Sequence, residues 1–507
     1  MVREYAAYGL LGLALWPVPL LNVLQAESAA VVACASFFVG GWAATRRFRA
    51  EPASFLRVLG GRMGALLVPL GMLTVAQLWA PNCTFGQGLL FYALFPGVTV
   101  VFAVACSYLL TGTGAERPFL WLAVGGVLIG LGGPIYDLGF HPQFYTYNHV
   151  FGGVLGPIYD EQLAVREGLF AFRGLTLLWA GLALTGGRLL RGHGGWVPLL
   201  VLGLTVALLY VSAVPLGLNT SAEQLQRRLG GHVSTPHFDL YYDPDRLSPR
   251  AAEALADDHE AYYRHLQERL GLPPGAGPGR IQSYLYPSPD VKAQLTGARY
   301  TSVSPVWLGT PQVHLLTGRA EESLGHELAH VFSRPYGLPL INASWSPGLV
   351  EGWAVALEPP SPAPSVHDLV RVATTTDTSA ALSLTAEALA ERLPPWGFWT
   401  GRGAVSYATM GSFVDHLLDE YGPGRLQRVY ARGNFSEVYG RALPRLAQGW
   451  ADSLARRPLV ARSAHAVVAR QFTRPSLFET ACPHHVPPHR RALQAAREAR
   501  RAGDTTT

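Results

Sequence analysis

Two histidines four residues apart, with a glutamate directly after the first, stand in the stretch "SLGHELAHVFS" at residues 323–333. Residues i and i+4 lie on one face of an α-helix, so His326 and His330 can present two imidazoles to one metal ion. Glu327 is offset toward the open side of that ion, where its carboxylate can accept a proton from an activated water. Residue types and spacing therefore predict a metal site suited to hydrolysis.

A third ligand is expected, because catalytic zinc takes three protein ligands and keeps one position open. The stretch "SPGLVEGWAVALE" at 346–358 supplies a carboxylate, Glu351, near the start of a second predicted helix. An HExxH helix followed by EGxA resembles the gluzincin metallopeptidases, and among them the peptidase MA-like group. Weaker similarity to this group continues in "SYATMGSFVDHLLDEYG" at 406–422 and "EVYGRALPRLAQGW" at 437–450.

The resemblance assigns a role to each of these residues. It implies that His326, His330 and Glu351 hold one Zn²⁺ per chain. It also implies that Glu327 is the general base and acid in the hydrolysis of a peptide bond. Tyr407, on the downstream helix, is the expected donor to the oxyanion, as in related aminopeptidases; the alternative is a tyrosine that only packs.

Two departures from the family pattern change what is expected of the metal site and of the cleavage specificity. Thermolysin-like members place an aspartate four residues after the third ligand, but here that position is Val355, so another residue must orient the zinc histidines. The aminopeptidases' GxMEN stretch has no counterpart before the motif, which argues against an exopeptidase and leaves an endopeptidase or an unidentified specificity. The predicted strand Gln312–Leu316 is expected to offer an exposed edge to an extended peptide.

The composition indicates that only part of the chain is globular. Of the 507 residues, 49% are hydrophobic and 15% charged, which is too apolar for an ordinary soluble enzyme. A helix needs about 20 apolar residues to cross a bilayer. Seven stretches predict such helices, at about Tyr5–Val23, Ala29–Thr45, Met63–Ala80, Leu89–Leu110, Phe119–Tyr136, Leu169–Gly186 and Trp196–Leu218.

Arginines predict the orientation, because cytoplasmic loops are enriched in basic residues. They lie in the loops after the second, fourth and sixth stretches, and Arg3 lies at the N-terminus. An odd number of spans then puts everything after Leu218 outside the cytoplasm. The pattern predicts a multi-pass protein of a bacterial inner membrane, embedded in the lipid bilayer. Many of the residues behind the net charge of +5 lie in such loops, which argues against nucleic acid as a partner. No residue pattern points to an oligomeric state.

The predicted fold is an α-helical membrane domain of about seven transmembrane helices followed by an α+β zincin-like metallopeptidase domain. The predicted domains are a membrane domain at 1–218, an extracytoplasmic peptidase domain at 219–460, and a basic tail at 461–507 that is helical or partly disordered. In the second domain, His237–Tyr242 and Ile281–Tyr286 predict strands. Ser248 followed by Pro249 predicts a helix start, and Arg319–Ser333 predicts the motif helix.

The loop between the fifth and sixth stretches contains "GPIYD" twice, at 133–137 and 156–160, around "FHPQFYTYNHVFGG". Its glycines and aromatic residues favour a loop at the level of the lipid headgroups. The alternative is a re-entrant element that contacts the outer domain or a substrate. Arg173, near one end of the sixth stretch, is expected to snorkel to the interface.

A few other polar residues have two interpretations. Cys83 and Cys482 lie on the same predicted side of the membrane, which leaves a disulfide between them open. The segment "CPHHVPPH" at 482–489 is expected to be a solvated tail, with a second metal site as the alternative. His416 is expected to be a structural residue of its helix. Glu358 is expected to be a surface carboxylate, although a partner of the metal ligands is possible.

The leading hypothesis is a membrane-anchored zinc metalloprotease that cleaves peptide or protein substrates outside the cytoplasm. The alternative is a membrane transporter or sensor whose outer domain binds peptides without cleaving them. The intact Glu327 argues against this alternative, because a binding domain needs no general base. An intramembrane protease would carry HExxH inside an apolar span, whereas "GRAEESLGHELAH" is polar.

Overall fold

The computed structural model describes residues 2–50, 54–157, 163, 165–360, 362–375, 382–458, 462–480, 482, 484–486 and 488–501. The chain divides into two compact units. Unit 1 comprises Met1–Gln224, Lys292–Thr301 and Ala481–Gln494, and unit 2 comprises Leu225–Val291, Ser302–Thr480 and Ala495–Thr507. Unit 1 is helical and apolar, and unit 2 combines helices with a small mixed sheet.

The first part of unit 1 is a set of helices with one short hairpin. The elements are α1 Val2–Leu15, α2 Ala26–Ala50, α3 Phe55–Ala65, α4 Leu67–Val75, α5 Phe85–Tyr92, α6 Val98–Gly112, α7 Pro118–Phe140, β1 Thr146–Asn148, β2 Gly152–Val154, α8 Glu167–Leu190 and α9 Trp196–Val211. A wide π-helical turn, Ala93–Gly97, joins α5 to α6 and contains Pro96, whose missing N–H is compatible with such a turn.

Five helical stretches among the described residues are long and apolar enough to cross a membrane. They are Ala26–Ala50, Phe55–Leu78, Phe85–Gly112, Pro118–Phe140 and Glu167–Leu190. The first and seventh predicted spans form shorter helices. α1 has 14 residues and ends at Leu15, because Pro17 and Pro19 follow closely. α9 is apolar but has 16 residues and ends at Val211.

The loop between α7 and α8 contains a buried hairpin, and its position at the level of the lipid headgroups stays a prediction. β1 and β2 pair antiparallel, and residues 142–150 are all buried. The polar groups of the hairpin find partners inside unit 1: Thr146 Oγ1 donates to Asp137 at 2.6 Å and Asn148 Nδ2 donates to the Ile129 carbonyl at 2.9 Å. These bonds replace water and make burial possible. Residues 158–160, in the second GPIYD copy, lie outside the described residues.

Arg173 is also buried, with 1% of its surface exposed, so the expectation that it snorkels is wrong. Its guanidinium donates to the carbonyls of Leu94 (2.7 Å), Asn148 (2.8 Å) and Phe95 (3.1 Å) and to the hydroxyl of Thr99 (2.9 Å). The wide turn and the hairpin thus supply interior acceptors, and the side chain has no need to reach the interface.

The segment that follows Thr480 is held in unit 1 rather than solvated. Cys482 forms a disulfide with Cys83, with their Cα atoms 5.5 Å apart. The His484 side chain is 3% exposed, and its Nε2 lies 2.7 Å from Glu27 Oε1. The expectation of a solvated tail is therefore wrong for Cys482 and residues 484–486, because the disulfide and the contact of the buried His484 ring with Glu27 hold these residues.

Unit 2 and its flanking segments contain the remaining elements. They are α10 Ala222–Leu229, β3 Gly231–Ser234, β4 Phe238–Tyr242, α11 Pro249–Arg269, β5 Ile281–Tyr286, α12 Pro289–Thr296, β6 Gln312–Leu316, α13 Ala320–Ser333, α14 Pro347–Ala356, α15 Val366–Thr375, α16 Ala386–Arg392, α17 Pro395–Thr400, α18 Gly403–Tyr421, α19 Pro423–Tyr430, α20 Phe435–Tyr439, α21 Leu443–Arg456, α22 Arg462–Gln471 and α23 Pro488–Arg501.

The sheet of unit 2 has the order β3-β4-β5-β6. β3 and β4 are antiparallel, whereas β4, β5 and β6 run parallel, with Leu240 opposite Ser283 and Ser283 opposite Val313. Helix α11 starts where Ser248 Oγ accepts from the Ala251 amide at 3.3 Å, with Pro249 in the first turn. Apolar residues of α11, α13, α14 and α18 share one buried core with the sheet. This core fixes the motif helix in place.

Candidate metal centre

Helix α13 brings the HExxH residues to the interior of unit 2. Leu324, Leu328 and Val331 are almost fully buried in the shared core and fix the rotation of the helix. With this face held, His326 and His330 stand one turn apart on the same side. The acidic residues Glu321 and Glu322 in the first turn complement the helix dipole.

Helix α14 positions Glu351 opposite the two histidines. Ser346 caps this helix by accepting from the Leu349 amide at 3.2 Å. Trp353 Nε1 donates to the Ala329 carbonyl at 2.9 Å and so ties α14 to α13. Gly352 allows α14 to approach α18 closely, since a Cβ here would lie 2.9 Å from the Met410 carbonyl oxygen. These contacts leave Glu351 facing α13.

Three donor atoms converge at separations that a single metal ion can bridge. Nε2 of His326 lies 3.2 Å from Nε2 of His330 and 3.2 Å from Oε2 of Glu351, and the third separation, from His330 to Glu351, is 3.5 Å. A tetrahedral ion with bonds of about 2.0 to 2.1 Å separates its ligands by about 3.3 to 3.4 Å. Two imidazoles and one carboxylate at these distances therefore fit a Zn²⁺ ion.

Glu358 orients His326, although the sequence favoured a surface role for this carboxylate. Glu358 Oε1 lies 2.8 Å from Nδ1 of His326. Because a carboxylate only accepts, Nδ1 carries a hydrogen, and Nε2, directed toward Glu351 and His330, is the atom that holds a second proton or ligates a metal ion. Glu358 follows Glu351 by seven residues but lies two residues beyond the end of α14, so helical spacing from Glu351 does not predict its contact with His326.

The electrostatics of the site favour a positive charge among the three donors. Burial lowers the pKa of His326, but hydrogen bonds with Glu351 and Glu358 outweigh it and raise this pKa well above its ordinary value of 6.5. Burial raises the pKa of Glu351, yet His326 and His330 outweigh it and hold this pKa far below its usual range. Without a metal, the site stabilises a bound proton; the same arrangement suits a divalent cation.

Glu327 is buried, with 5% of its surface exposed, and Ser304 holds its carboxylate. Ser304 Oγ lies 2.8 Å from Glu327 Oε2 and 2.9 Å from the Glu327 carbonyl oxygen. The hydroxyl can therefore donate to an ionised carboxylate, or accept from a protonated one while donating to the carbonyl. Sequence reasoning missed Ser304, because it precedes Glu327 by 23 residues and carries no recognisable pattern.

Tyr407 lies beside the three donors on α18. Its ring centroid is 6.2 Å from that of His326, in a stacked arrangement, and 5.4 Å from that of Phe398. The structure thus brings Tyr407 to the same region as His326, and its role as an oxyanion donor stays a prediction.

The edge of β6 is not exposed, so the expectation of a peptide-pairing edge at Gln312–Leu316 is wrong. All five residues of β6 are buried. At the centre of the strand, the His314 amide donates to the Val303 carbonyl at 3.0 Å, and the Val303 amide donates to the His314 carbonyl at 3.3 Å. The segment around Val303 therefore covers this edge and carries Ser304 to Glu327.

A second group of potential ligands in unit 2 is a salt bridge network. His367, Asp415 and Asp419 lie close enough together to hold an ion. However, Arg269 Nη2 lies 2.6 Å from Asp415 Oδ1 and 2.7 Å from Asp419 Oδ1, so a guanidinium already pairs with both carboxylates. Among the described residues, His416 belongs to neither potential ligand group.

In comparisons with known proteins, neither a family model nor a curated protein matches the chain.

Proposed function

We propose that this protein is a membrane-anchored zinc metallopeptidase that cleaves within peptide chains outside the cytoplasm. The observation that carries the proposal is the convergence of His326 and His330 on α13 with Glu351 on α14, at separations of 3.2 to 3.5 Å, beside the buried Glu327 of α13. This combination of ligands and carboxylate is the one expected of a gluzincin.

Each residue of the site has a separate role in hydrolysis. When bound, Zn²⁺ supplies a Lewis acid that polarises a carbonyl group and favours deprotonation of water. Glu327 takes the proton from the attacking water and returns it to the leaving amine. Ser304 holds the Glu327 carboxylate in both of its protonation states, and Glu358 holds the His326 ring. The Tyr407 hydroxyl donates to the oxyanion.

A peptide substrate is supported by the segment that covers β6. Both backbone groups of Val303 bond to β6. In extended backbone, the groups of adjacent residues point the other way, and we propose that those of Ser302 and Ser304 face the substrate. An extended peptide can pair with them and pass beside Glu327. The absence of a GxMEN stretch favours cleavage inside the chain over removal of a terminal residue.

The proposed topology has seven spans with the N-terminus in the cytoplasm. The five long helices supply five of these spans, and α1 and α9 supply the other two. The turns that follow α1 and α9 lie near the membrane surface. The disulfide between Cys83 and Cys482 supports this topology, because both cysteines then lie outside the cytoplasm, where disulfides persist. The arginine pattern favours a bacterial inner membrane.

A transporter or sensor is the second candidate, favoured by the polar interior of unit 1. There, His149 Nδ1 lies 2.8 Å from Thr176 Oγ1, and the neighbouring Arg173 is fully buried. Ionisable side chains inside a membrane domain often serve transport or signalling. In this second candidate function, unit 2 lies outside the cytoplasm and binds peptides without cleaving them.

Purified full-length protein in detergent distinguishes the two candidates. The protein is incubated with an unfolded protein substrate and a peptide library, and new termini are identified by mass spectrometry. We expect zinc-dependent internal cleavage that a chelator abolishes and added zinc restores. Glu327→Gln should bind zinc normally and lower kcat by about a thousandfold or more. The matched control Glu253→Gln removes an exposed carboxylate on α11 and should cleave normally.

The two candidates differ in one outcome. Zinc binding without cleavage of any substrate, together with peptide binding that is unchanged in Glu327→Gln, would refute the peptidase proposal and support the binding role.

A further inference from the structure

The loop between α13 and α14 exposes large apolar side chains. It covers residues 338–345 of unit 2. Leu340 is 90% exposed, Trp345 is 71% exposed and Ile341 is 42% exposed. Large apolar residues that are exposed as a group, rather than singly, mark a binding surface.

Backbone hydrogen bonds hold this loop in one shape. The Leu338 amide donates to the Ala343 carbonyl at 2.9 Å, and the Asn342 amide donates to the Leu338 carbonyl, also at 2.9 Å. Leu340 and Asn342 have positive φ angles of +74° and +50°. Such an angle is disfavoured for a leucine, so the surrounding contacts impose a conformation in which Leu340 projects into solvent. The loop is therefore a preformed projection of unit 2.

Arginines lie beside this projection. The Trp345 amide donates to the Ala431 carbonyl at 3.1 Å, which brings the exposed Arg432 next to Trp345. Arg425 and Arg428 are also exposed, on α19, which directly precedes Ala431. Residues 334–350 and 422–436 together contain four arginines and no aspartate or glutamate. The apolar projection thus has a positively charged border.

This combination of residues is typical of a segment that enters the surface of an anionic bilayer. Leucine is buried among acyl chains, tryptophan prefers the level of the headgroups, and arginine is attracted to anionic lipids. The chain itself requires such a surface, since five of its helical stretches are long and apolar enough to cross a membrane. An apolar polypeptide would fit the leucine and the tryptophan but would leave the arginines without an anionic partner.

From these observations we infer that loop 338–345 inserts into the headgroup region of an anionic lipid bilayer, with Arg428 and Arg432 contacting lipid phosphates. The inference rests on the membrane anchoring in the proposed function and is independent of zinc binding and of cleavage. It gives unit 2 a lipid contact that does not involve the helices of unit 1.

The test places a polarity-sensitive fluorophore at Leu340→Cys in full-length protein in lipid nanodiscs. Cys34→Ala and Cys106→Ala remove the free thiols, and labelling without reductant keeps the disulfide between Cys83 and Cys482. In nanodiscs that contain phosphatidylglycerol, the emission should shift to shorter wavelength, and lipids with a nitroxide headgroup should quench it. The control label at Glu253→Cys, an exposed site on α11, should show neither effect.

The charge contribution is measured in the same labelled protein. Two fluorescence lifetimes give the ratio of inserted to water-exposed label. Arg428→Gln and Arg432→Gln should each lower this ratio about fivefold, because each removes an attraction to the anionic surface. In nanodiscs of phosphatidylcholine alone, the ratio should be lower and the two replacements should have little effect. The control Arg250→Gln, an exposed arginine on α11, should leave the ratio unchanged.

The outcomes are separable. A label at residue 340 that stays in water in every nanodisc overturns the inference. A shift that unlabelled peptide reverses and nitroxide lipids do not quench assigns the loop to polypeptide and also overturns it. If the protein does not enter nanodiscs, the membrane anchoring of the proposed function fails together with the inference. Insertion of the loop in a protein that neither binds zinc nor cleaves peptides refutes only the peptidase proposal.

Discussion

Replacement of Glu358 tests whether the site is built for a metal. The Glu358 carboxylate accepts from His326 Nδ1 at 2.8 Å, which fixes the ring and directs Nε2 at the other two donors. Loss of such a partner typically weakens metal binding about tenfold to a hundredfold. The Glu358 side chain is 46% exposed, so water screens its charge. We therefore expect Glu358→Ala to weaken zinc binding about tenfold, or about 1.4 kcal/mol.

Glu358→Gln separates geometry from charge. The amide oxygen can still accept from Nδ1 and hold the ring, so this variant should bind zinc more tightly than Glu358→Ala and less tightly than wild type. The assay is competition with a fluorescent zinc chelator at pH 7, on full-length protein in detergent. Glu253→Gln serves as the control for an exposed carboxylate. Equal zinc affinity for wild type and Glu358→Ala would refute the reasoning.

Three further predictions concern other parts of the chain. Tyr407→Phe should lower kcat about a hundredfold with unchanged KM and zinc content, and full activity would exclude the hydroxyl as oxyanion donor. Burial lowers the pKa of His259 from 6.5 to about 4. The unfolded chain therefore binds this proton first, and stability that is complete above pH 6.5 is lost as pH falls toward 4. The loss is about 3 kcal/mol by urea unfolding, and it should disappear in His259→Gln. Arg173→Lys should destabilise unit 1 by about 2 kcal/mol or more in thermal unfolding, because the three donors of an ammonium diverge from one atom and cannot reach the four acceptors that the planar guanidinium spans; unchanged stability would contradict this.

The local features of unit 2 could be predicted from the sequence because they depend on neighbouring residues. The Ser248–Pro249 helix start, the strand Ile281–Tyr286 and the motif helix all occur within a residue or two of their expected bounds. The convergence of Glu351 with the two histidines follows from a spacing that the sequence displays.

Contacts between distant segments could not be predicted in this way. Ser304 reaches Glu327 across 23 residues, and Val303 covers an edge of β6 that looked available for a peptide. Neither contact depends on residue spacing; each depends on how the sheet and α13 pack together. Glu358 was undervalued for the same reason, since its partner His326 lies on another helix.

Hydropathy located the apolar stretches of unit 1 but not their internal architecture. A count of apolar residues ignores the prolines that end α1 at Leu15. It also treats Arg173 as a charge that must reach water, whereas the hairpin and the wide turn at Ala93–Gly97 surround it with acceptors. Polar residues are buried here because they satisfy one another, and composition alone does not reveal the pairing.

The most direct test of the account is X-ray absorption at the zinc edge on purified full-length protein, combined with its metal content. The account predicts one zinc ion per chain, bound by two imidazole nitrogens and one carboxylate oxygen at about 2.0 to 2.1 Å, with one further light-atom ligand. Glu351→Ala should lose the carboxylate contribution and most of the metal. A protein without bound zinc, or a spectrum that is unchanged in Glu351→Ala, would contradict the central claim.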